Sequence, residues 1–303
     1  MPVPLGLVDR SERGKLAVSG DEARAALNGI VTNEVEDLEP GTGVLAAVLT
    51  AKGKMLGDLR VLDTGEELLL DTERAALQAV FDALRHGFVG YRADLHKRTL
   101  ECGLLSLVGD GARAAAGVPG LAGLEHAHLA ATVGGAPARA IATDLGVDVL
   151  YAAQDDERVR EALAAAGALT LPAEVAEVLR VESGRPRYGV DLDDTVIPQE
   201  AGLNDRAVSF TKGCYVGQET VARLFYKGRP NRVLRGLRLS AAAAAGAPLV
   251  LGDREVGTLT SSVVSPTLGP IGLALTRREA EPGAQLRVGA DGVTATVVAL
   301  PFA

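Results

Sequence analysis

The chain has no tryptophan, and phenylalanine and tyrosine together make up only 3% of it. So small an aromatic share argues against an extended base-stacking surface. Cysteine is nearly as scarce. Cys102 and Cys214 are the only two, too few for a disulfide framework and too few for the four thiolates of an iron–sulfur cluster. No stretch approaches the roughly 18 consecutive apolar residues of a membrane-spanning helix. The N-terminal MPVPLGLVDRSERGK has early charges and no apolar h-region, so no secretory signal is expected and a reducing cytoplasm is the expected location. His86, His96, His126 and His128 are scattered, and neither cysteine joins them at metal-ligand spacing, so no metal site is expected. The P-loop, the dinucleotide glycine fingerprint and the Gly-x-Ser-x-Gly elbow are also missing. Gly109-Asp110-Gly111 lacks the third glycine and reads as a turn.

What remains is an ordinary globular composition, 47% apolar and 23% charged over 303 residues, long enough for more than one core. Strands and helices alternate through the first two thirds. Strands are expected at 15–18, 44–50, 55–62, 67–70, 104–108, 138–143 and 147–152, with the second and third joined as a hairpin by Ala51-Lys52-Gly53-Lys54. Helices are expected up to Asn28 with a cap at Ser19-Gly20-Asp21, then at 72–85, 155–166 and 173–183, the last ending on Gly184. After Arg232 only short strands follow (233–239, 255–261, 271–276, 285–288, 293–300), the pattern of a small barrel. The alanine run Ala241–Ala245 reads as a loop.

The charge is unevenly spread. From Arg206 to Arg238 there are eight Lys and Arg against the single acid Glu219, so this segment is +7 in a chain of −8 and the remainder carries −15. An inversion of that size points to an anion-receiving surface. Within it lies Lys212-Gly213-Cys214-Tyr215-Val216-Gly217-Gln218-Glu219. A thiol in such a field is expected to favour its thiolate, with Lys212 as the adjacent cation. The alternative is a glycine-rich turn around a buried, structural Cys214. RNA competes with a small anion as the partner for the segment, because attraction to phosphate is independent of sequence.

This octapeptide resembles the hallmark of the YgfZ-type folate-binding proteins, relatives of the glycine-cleavage T-protein (aminomethyltransferase). The resemblance continues in Leu16-Ala-Val-Ser-Gly-Asp21, Thr32-Asn33-Glu34-Val35 and Leu49-Thr50-x-Lys52-Gly53-Lys54. It runs on through Arg180-x-Glu182-x-Gly184-x-Pro186, Pro198-Gln199-Glu200, Ser265-Pro266-x-Leu268-Gly269 and the final Leu300-Pro301-Phe302. It implies an α+β fold of two intertwined α/β subdomains over 1–230 and a C-terminal antiparallel β-barrel over 231–303, arranged as a ring around a folate-sized channel. It also implies tetrahydrofolate as cofactor and a choice between two roles. One is an accessory protein that supports assembly or repair of iron–sulfur enzymes, including those that modify tRNA, through Cys214. The other is a folate-dependent one-carbon transferase of the T-protein type.

Individual residues fit a folate. In the helix before Gly184, Val175, Val178 and Leu179 form an apolar stripe and Glu182 falls on the same face. A carboxylate there pairs with an arginine such as Arg185 or Arg187, is exposed because the helix ends there, or accepts the adjacent 2-amino and N3–H donors of a pterin. Arg223 and Arg232 suit the glutamate carboxylates of a folate tail, with Tyr215 as a neighbouring aromatic contact. Alternation in Met55–Val61 puts Leu56, Asp58 and Arg60 on one face and Gly57, Leu59 and Val61 on the other. The resemblance gives an aspartate of this strand a part in one-carbon transfer, for which Asp58 is the candidate. An exposed Asp58 opposite a basic neighbour is the alternative.

Overall fold

The computed structural model describes residues 5–302; Met1–Pro4 of the N-terminal segment lie outside the described residues. The chain divides into two units. One takes the chain up to Leu49, Leu56–Pro172 and Arg206–Val216, and the other Thr50–Met55, Ala173–Asp205 and the chain from Gly217 on.

In the first unit the elements follow as β1 (Gly6–Asp9), β2 (Gly14–Ser19), α1 (Ala23–Asn28), β3 (Gly43–Leu49), β4 (Met55–Asp63), β5 (Leu68–Thr72) and α2 (Leu77–Gly87). Then come β6 (Asp94–Lys97), β7 (Cys102–Val108), α3 (Ala112–Ala115), β8 (His128–Val133), β9 (Ala136–Ala142), β10 (Gly146–Ala152), α4 (Asp156–Ala165) and β11 (Leu169–Thr170). They form a five-stranded sheet in the order β3-β4-β5-β2-β6 and a six-stranded sheet in the order β11-β1-β7-β10-β9-β8. Both sheets have a helix on one face. On α2, Leu77, Val80 and Leu84 are buried at helical spacing, and Val80 packs over Gly57 of β4, where an added Cβ would come within 2.9 Å of its Cγ2. On α4, Val159 and Leu163 join a core with Leu105, Leu107, Val147 and Val149 of β7 and β10. The opposite faces of the two sheets meet each other. Between them is a small cavity of about 20 Å³ lined from one sheet by Leu16, Arg60 and Asp71 and from the other by Leu104, Ile141 and Leu150.

Two local expectations fail here. No side-chain oxygen caps α1, whose N-cap is Glu22 rather than a residue of Ser19-Gly20-Asp21. The helix expected from Thr72 starts only at Leu77, because Asp71 and Thr72 are drawn into the ladder opposite Arg60 and Leu59. A paired strand satisfies their backbone groups before helix can nucleate.

The second unit holds α5 (Ala173–Glu182), α6 (Asn204–Ala207), which begins in it and ends in the first, α7 (Gln218–Lys227) and the strands β12 (Arg232–Leu239), β13 (Pro248–Leu251), β14 (Arg254–Ser265), β15 (Gly269–Arg277), β16 (Gln285–Val288) and β17 (Val293–Val298). The six strands close into an antiparallel barrel in the order β12-β15-β14-β13-β16-β17. Closure through β12 and β17 pairs Gly236 with Val298 and Leu239 with Ala295, which leaves no strand edge unpaired. Leu237, Leu249, Leu259, Leu286 and Val297 fill its interior. Outside it, Val181 of α5 packs on Leu234, Ile271 and Leu273. Neither β13 nor α7 was among the elements expected from the sequence.

Candidate functional site

In the first unit, Asp58 lies on the β4 face that also bears Arg60, as the alternation requires. It is not exposed. Its Oδ1 is buried with no hydrogen-bond partner among the described residues. Around it is a layer of opposed charges between the two sheets. Arg60 Nε donates to Asp71 at 2.6 Å and its Nη1 to Asp148 at 2.7 Å, while Ser106 Oγ donates to Asp148 at 2.5 Å. Arg13 reaches Asp71 at 2.7 Å and also pairs with Glu73. Burial raises the Asp58 carboxyl to about 6; Arg13 opposes that rise, and Glu73 and Asp71 add to it. Asp71, between two guanidinium groups, is held far below the usual carboxylate range despite its burial. Two neighbouring carboxylates thus have opposite proton affinities.

The octapeptide straddles the two units. Lys212, in the first, does not present a free ammonium to Cys214. Its Nζ donates to Asn28 O (2.8 Å), Asn28 Oδ1 (2.7 Å), Val31 O (2.9 Å) and Asn33 O (2.7 Å). Desolvation in this cage lowers its pKa to about 8. The same Nζ lies 5.5 Å from the centroid of the Tyr215 ring. Tyr215 is buried, and burial raises its hydroxyl to about 12, so this side chain packs beneath the lysine. Cys214 is exposed and unbridged, which removes the buried, structural reading of that thiol.

In the second unit, Glu182 closes α5. The stripe foreseen on this helix is not its core face: Val175 is 40% exposed and Val178 and Leu179 are half-buried, while the residue turned to the barrel is Val181. Glu182 therefore sits at the end of a half-open apolar strip. Its Oε1 accepts the hydroxyl of Ser265, with Thr267 Oγ1 at 3.4 Å. Ser265 Oγ itself accepts the backbone N–H groups of Thr267 (3.1 Å) and Leu268 (2.9 Å), which leaves its proton for the carboxylate. No cation pairs with Glu182 among the described residues; Arg187 pairs instead with Glu177 at 3.3 Å. Just below, Arg180 joins Asp191 (2.7 Å), itself bound by Thr260 and Ser261, and locks α5 onto β14.

Of the two arginines considered for a folate tail, Arg232 is already engaged, with Glu200 at 3.0 Å and Thr195 O at 2.9 Å. It lines a cleft of about 820 Å³ within this unit, together with Lys54, Glu255 and Arg277. Arg223 is exposed on α7. Sequence reasoning missed Ser265 as the carboxylate's donor and the cage around Lys212. Among the described residues no group of three His, Cys, Asp or Glu side chains is placed to hold a metal ion, and no helix is long and apolar enough to cross a membrane.

Comparison with known proteins agrees with this architecture. Residues 4–212 match the family model of the GCVT N-terminal domain, and residues 232–303 that of the glycine cleavage T-protein C-terminal barrel domain. An aminomethyltransferase of Streptomyces avermitilis is 33% identical over 98% of this chain and 86% of its own length. One from Rubrobacter xylanophilus is 29% identical over 98% and 82%, and a putative chloroplastic transferase of Arabidopsis thaliana 28% over 98% and 71%. The crystal structure of the glycine cleavage system aminomethyltransferase T from Bartonella henselae superposes with a TM-score of 0.90, covering 100% of this chain and 87% of that one at 21% identity.

Proposed function

The chain belongs to the glycine-cleavage T-protein family, and from that premise we propose that it binds tetrahydrofolate at Glu182 and transfers a one-carbon unit in the manner of an aminomethyltransferase. Glu182 carries this reading. A pterin needs an apolar strip for its flat ring and a carboxylate for its side-by-side N–H donors. The half-open Val175/Val178/Leu179 face ending in a carboxylate without a cation supplies both. When bound, tetrahydrofolate supplies a ring amine that accepts or releases the one-carbon group. Ser265 holds the Glu182 oxygen in place, and Arg223 receives a carboxylate of the folate tail by a two-pronged contact. In the first unit, taken by itself, Asp58 has the properties of a proton-handling group: its buried, unpartnered Oδ1 and its pKa of about 6 suit a base near neutral pH. Arg13, Arg60 and Asp71 are the positioning residues behind it.

The test is anaerobic calorimetry with tetrahydrofolate on wild type, Glu182→Gln and Asp58→Asn. Glu182→Gln is expected to weaken binding about 10- to 100-fold, the loss of a charged acceptor from two donors. Asp58→Asn is expected to bind as wild type and to lose one-carbon transfer. Wild-type affinity in Glu182→Gln would overturn the pterin assignment.

The exposed thiol of Cys214 in Lys-Gly-Cys-Tyr-x-Gly-Gln-Glu favours a second reading, a folate-binding accessory protein that supports iron–sulfur enzymes or their assembly machinery, including those that modify tRNA. Cys214 is then the reactive residue, and Lys212 and Tyr215 hold its loop. The cytoplasm, whose thiol pool keeps both cysteines reduced, suits either reading. Cys214→Ser separates them: it leaves transfer intact in the first and abolishes support of an iron–sulfur enzyme in cells, with folate affinity unchanged, in the second.

A further inference from the structure

Two rows of charge cross neighbouring strands of the five-stranded sheet. In the first, Arg60 of β4 stands opposite Asp71 of β5, which on its other side stands opposite Lys15 of β2. One residue past the last paired positions of the same strands, Leu59–Thr72 and Gly14–Thr72, come Asp58, Glu73 and Arg13. Each is two residues from its counterpart in the first row and so shares its face. The Thr72 hydroxyl donates to Asp58 O at 2.6 Å, which holds β4 and β5 together at this point. Glu73 thus stands between a carboxylate and a guanidinium, and it pairs with the guanidinium. Arg13 Nη1 donates to Glu73, while its Nε and Nη2 lie 2.8 and 2.7 Å from Asp71 Oδ1. All three nitrogens of Arg13 are engaged and none is on Asp58, whose buried Oδ1 has no hydrogen-bond partner among the described residues. The neighbouring charges have partners of their own. Arg60 serves Asp71 and Asp148, Lys15 Nζ donates to the carbonyls of Ser11 and Arg13, and Arg10 makes a longer contact of 3.5 Å to Glu73.

We propose that Glu73 is a positioning residue for Asp58: by holding Nη1 of Arg13 it keeps that guanidinium from closing on Asp58, and so preserves an unpaired carboxyl group. Two carboxylates compete here for one cation. Asp58 is two strand spacings of about 4.8 Å each from Arg13, and Glu73 only one. A buried carboxylate near an arginine gains by capturing it. Glu73 stands nearer and takes it first, and Asp71 fixes the rest of the fork. The electrostatics agree: burial lifts the Asp58 carboxyl, the Arg13 charge opposes that lift, and Glu73 adds to it. Without Glu73, Nη1 is released and the unpartnered Oδ1 is an acceptor in the same row. An ion-paired Asp58 would stay ionised far below neutral pH and would be a poor base. The catalytic consequence rests on the reading of Asp58 as the proton-handling group, whereas the competition for Arg13 does not.

The experiment is a titration of the Asp58 carboxyl by carbon-13 NMR in the ligand-free full chain, with Asp58→Asn to identify its signal. Glu73→Met removes both the charge and the oxygen that Nη1 needs, whereas Glu73→Gln removes the charge and keeps an oxygen. The wild-type carboxyl should titrate near pH 6. In Glu73→Met it should fall by about 1–3 units, the effect of a new arginine contact, and in Glu73→Gln it should move clearly less. Equal shifts in the two variants would show that the Glu73 charge acts through space alone, and would overturn the positioning role. An unmoved titration in Glu73→Met would overturn it too. Arg13 keeps Asp71 in both variants, so both should fold; if Glu73→Met does not, Glu73→Ala makes the same deletion and is read in the same way. The acid limb of the pH–rate profile for one-carbon transfer should move down with the titration in Glu73→Met. A titration that shifts as expected in a protein without transfer activity would leave Glu73 in its role and remove Asp58 from catalysis, so the two failures are told apart.

Discussion

Arg60 on β4 and Asp148 on β10 join the two sheets of the first unit, Nη1 to Oδ2 at 2.7 Å, in a layer where charged side chains are set among leucines and an isoleucine. Both side chains are more than nine-tenths buried. The same guanidinium reaches Asp71 through Nε, so one cation serves two buried carboxylates on different sheets. Buried charges of this kind stabilise little as a set but are costly to separate.

Replacing Arg60 by leucine would leave Asp71 with Arg13 alone and Asp148 with only the Ser106 hydroxyl. A loss of about 3–5 kcal/mol is expected. Thermal unfolding should show a fall in Tm of about 10 °C, at about 2–4 °C per kcal/mol for a unit of this size. The double variant Arg60→Leu, Asp148→Leu should recover part of that loss.

Asp58 should make the wild type less stable as pH rises. Its folded pKa is raised from 3.8 to about 6, so the neutral form suits the fold. Its favourable contribution is complete below about pH 4 and is lost as pH passes 6. Asp58→Asn should match wild type at pH 4 and exceed it at pH 7.5 by up to about 3 kcal/mol, at about 1.4 kcal/mol for each pH unit that separates the folded and unfolded values. Differential scanning fluorimetry across that range reads it out, and a Tm difference independent of pH would show that the carboxyl titrates alike in both states. Asp71, whose pKa is depressed, acts in the opposite sense and loses its contribution as pH falls, but it is common to both proteins.

Lys212→Met should act on stability rather than on the neighbouring thiol. Four oxygens lose their donor together, at a cost of about 3 kcal/mol. Urea unfolding should show the loss, while alkylation of Cys214 in the folded protein should proceed at the wild-type rate. A slowed alkylation with unchanged stability would restore the lysine to a chemical role.

Gly57→Val tests the packing under α2. Its Cβ would stand 2.5 Å from Ala76 Cβ and 2.9 Å from Val80 Cγ2, so the helix must lift. A lowered urea midpoint equivalent to about 1–3 kcal/mol is expected, with Asp58, on the other face, left in place.

How far the sequence foretold this depends on how local each cause is. The alternation around Asp58 was legible because a strand has a period of two and needs no partner to define its faces. Its burial was not, because the charged groups around it, Arg13, Asp71 and Glu73, come from other segments of the chain. The stripe on α5 was legible as periodicity, yet the core face proved to be the one bearing Val181, since which face a helix turns inward depends on the barrel it meets. The lysine of the octapeptide looked like a partner for Cys214 because they are two residues apart. Its actual partners lie near residue 30, where main-chain oxygens leave no trace in composition. The barrel was foreseen from five short strands. The sixth, β13, begins at a proline placed where a strand end tolerates one.

Barrel closure through β12 and β17 also governs the order of events during synthesis. The first strand of the ring emerges from the ribosome with its partner on one side still unmade, and no arrangement of the other five can complete the circle before Val293–Val298 appears. Until then the nascent chain carries open strand edges rich in valine and leucine, the surfaces most prone to pairing with a neighbouring chain. The Thr50–Met55 turn meanwhile waits for the later segments of its own unit. Ring closure therefore waits for Val293–Val298, and crowding of unfinished chains should lower the yield of folded barrel.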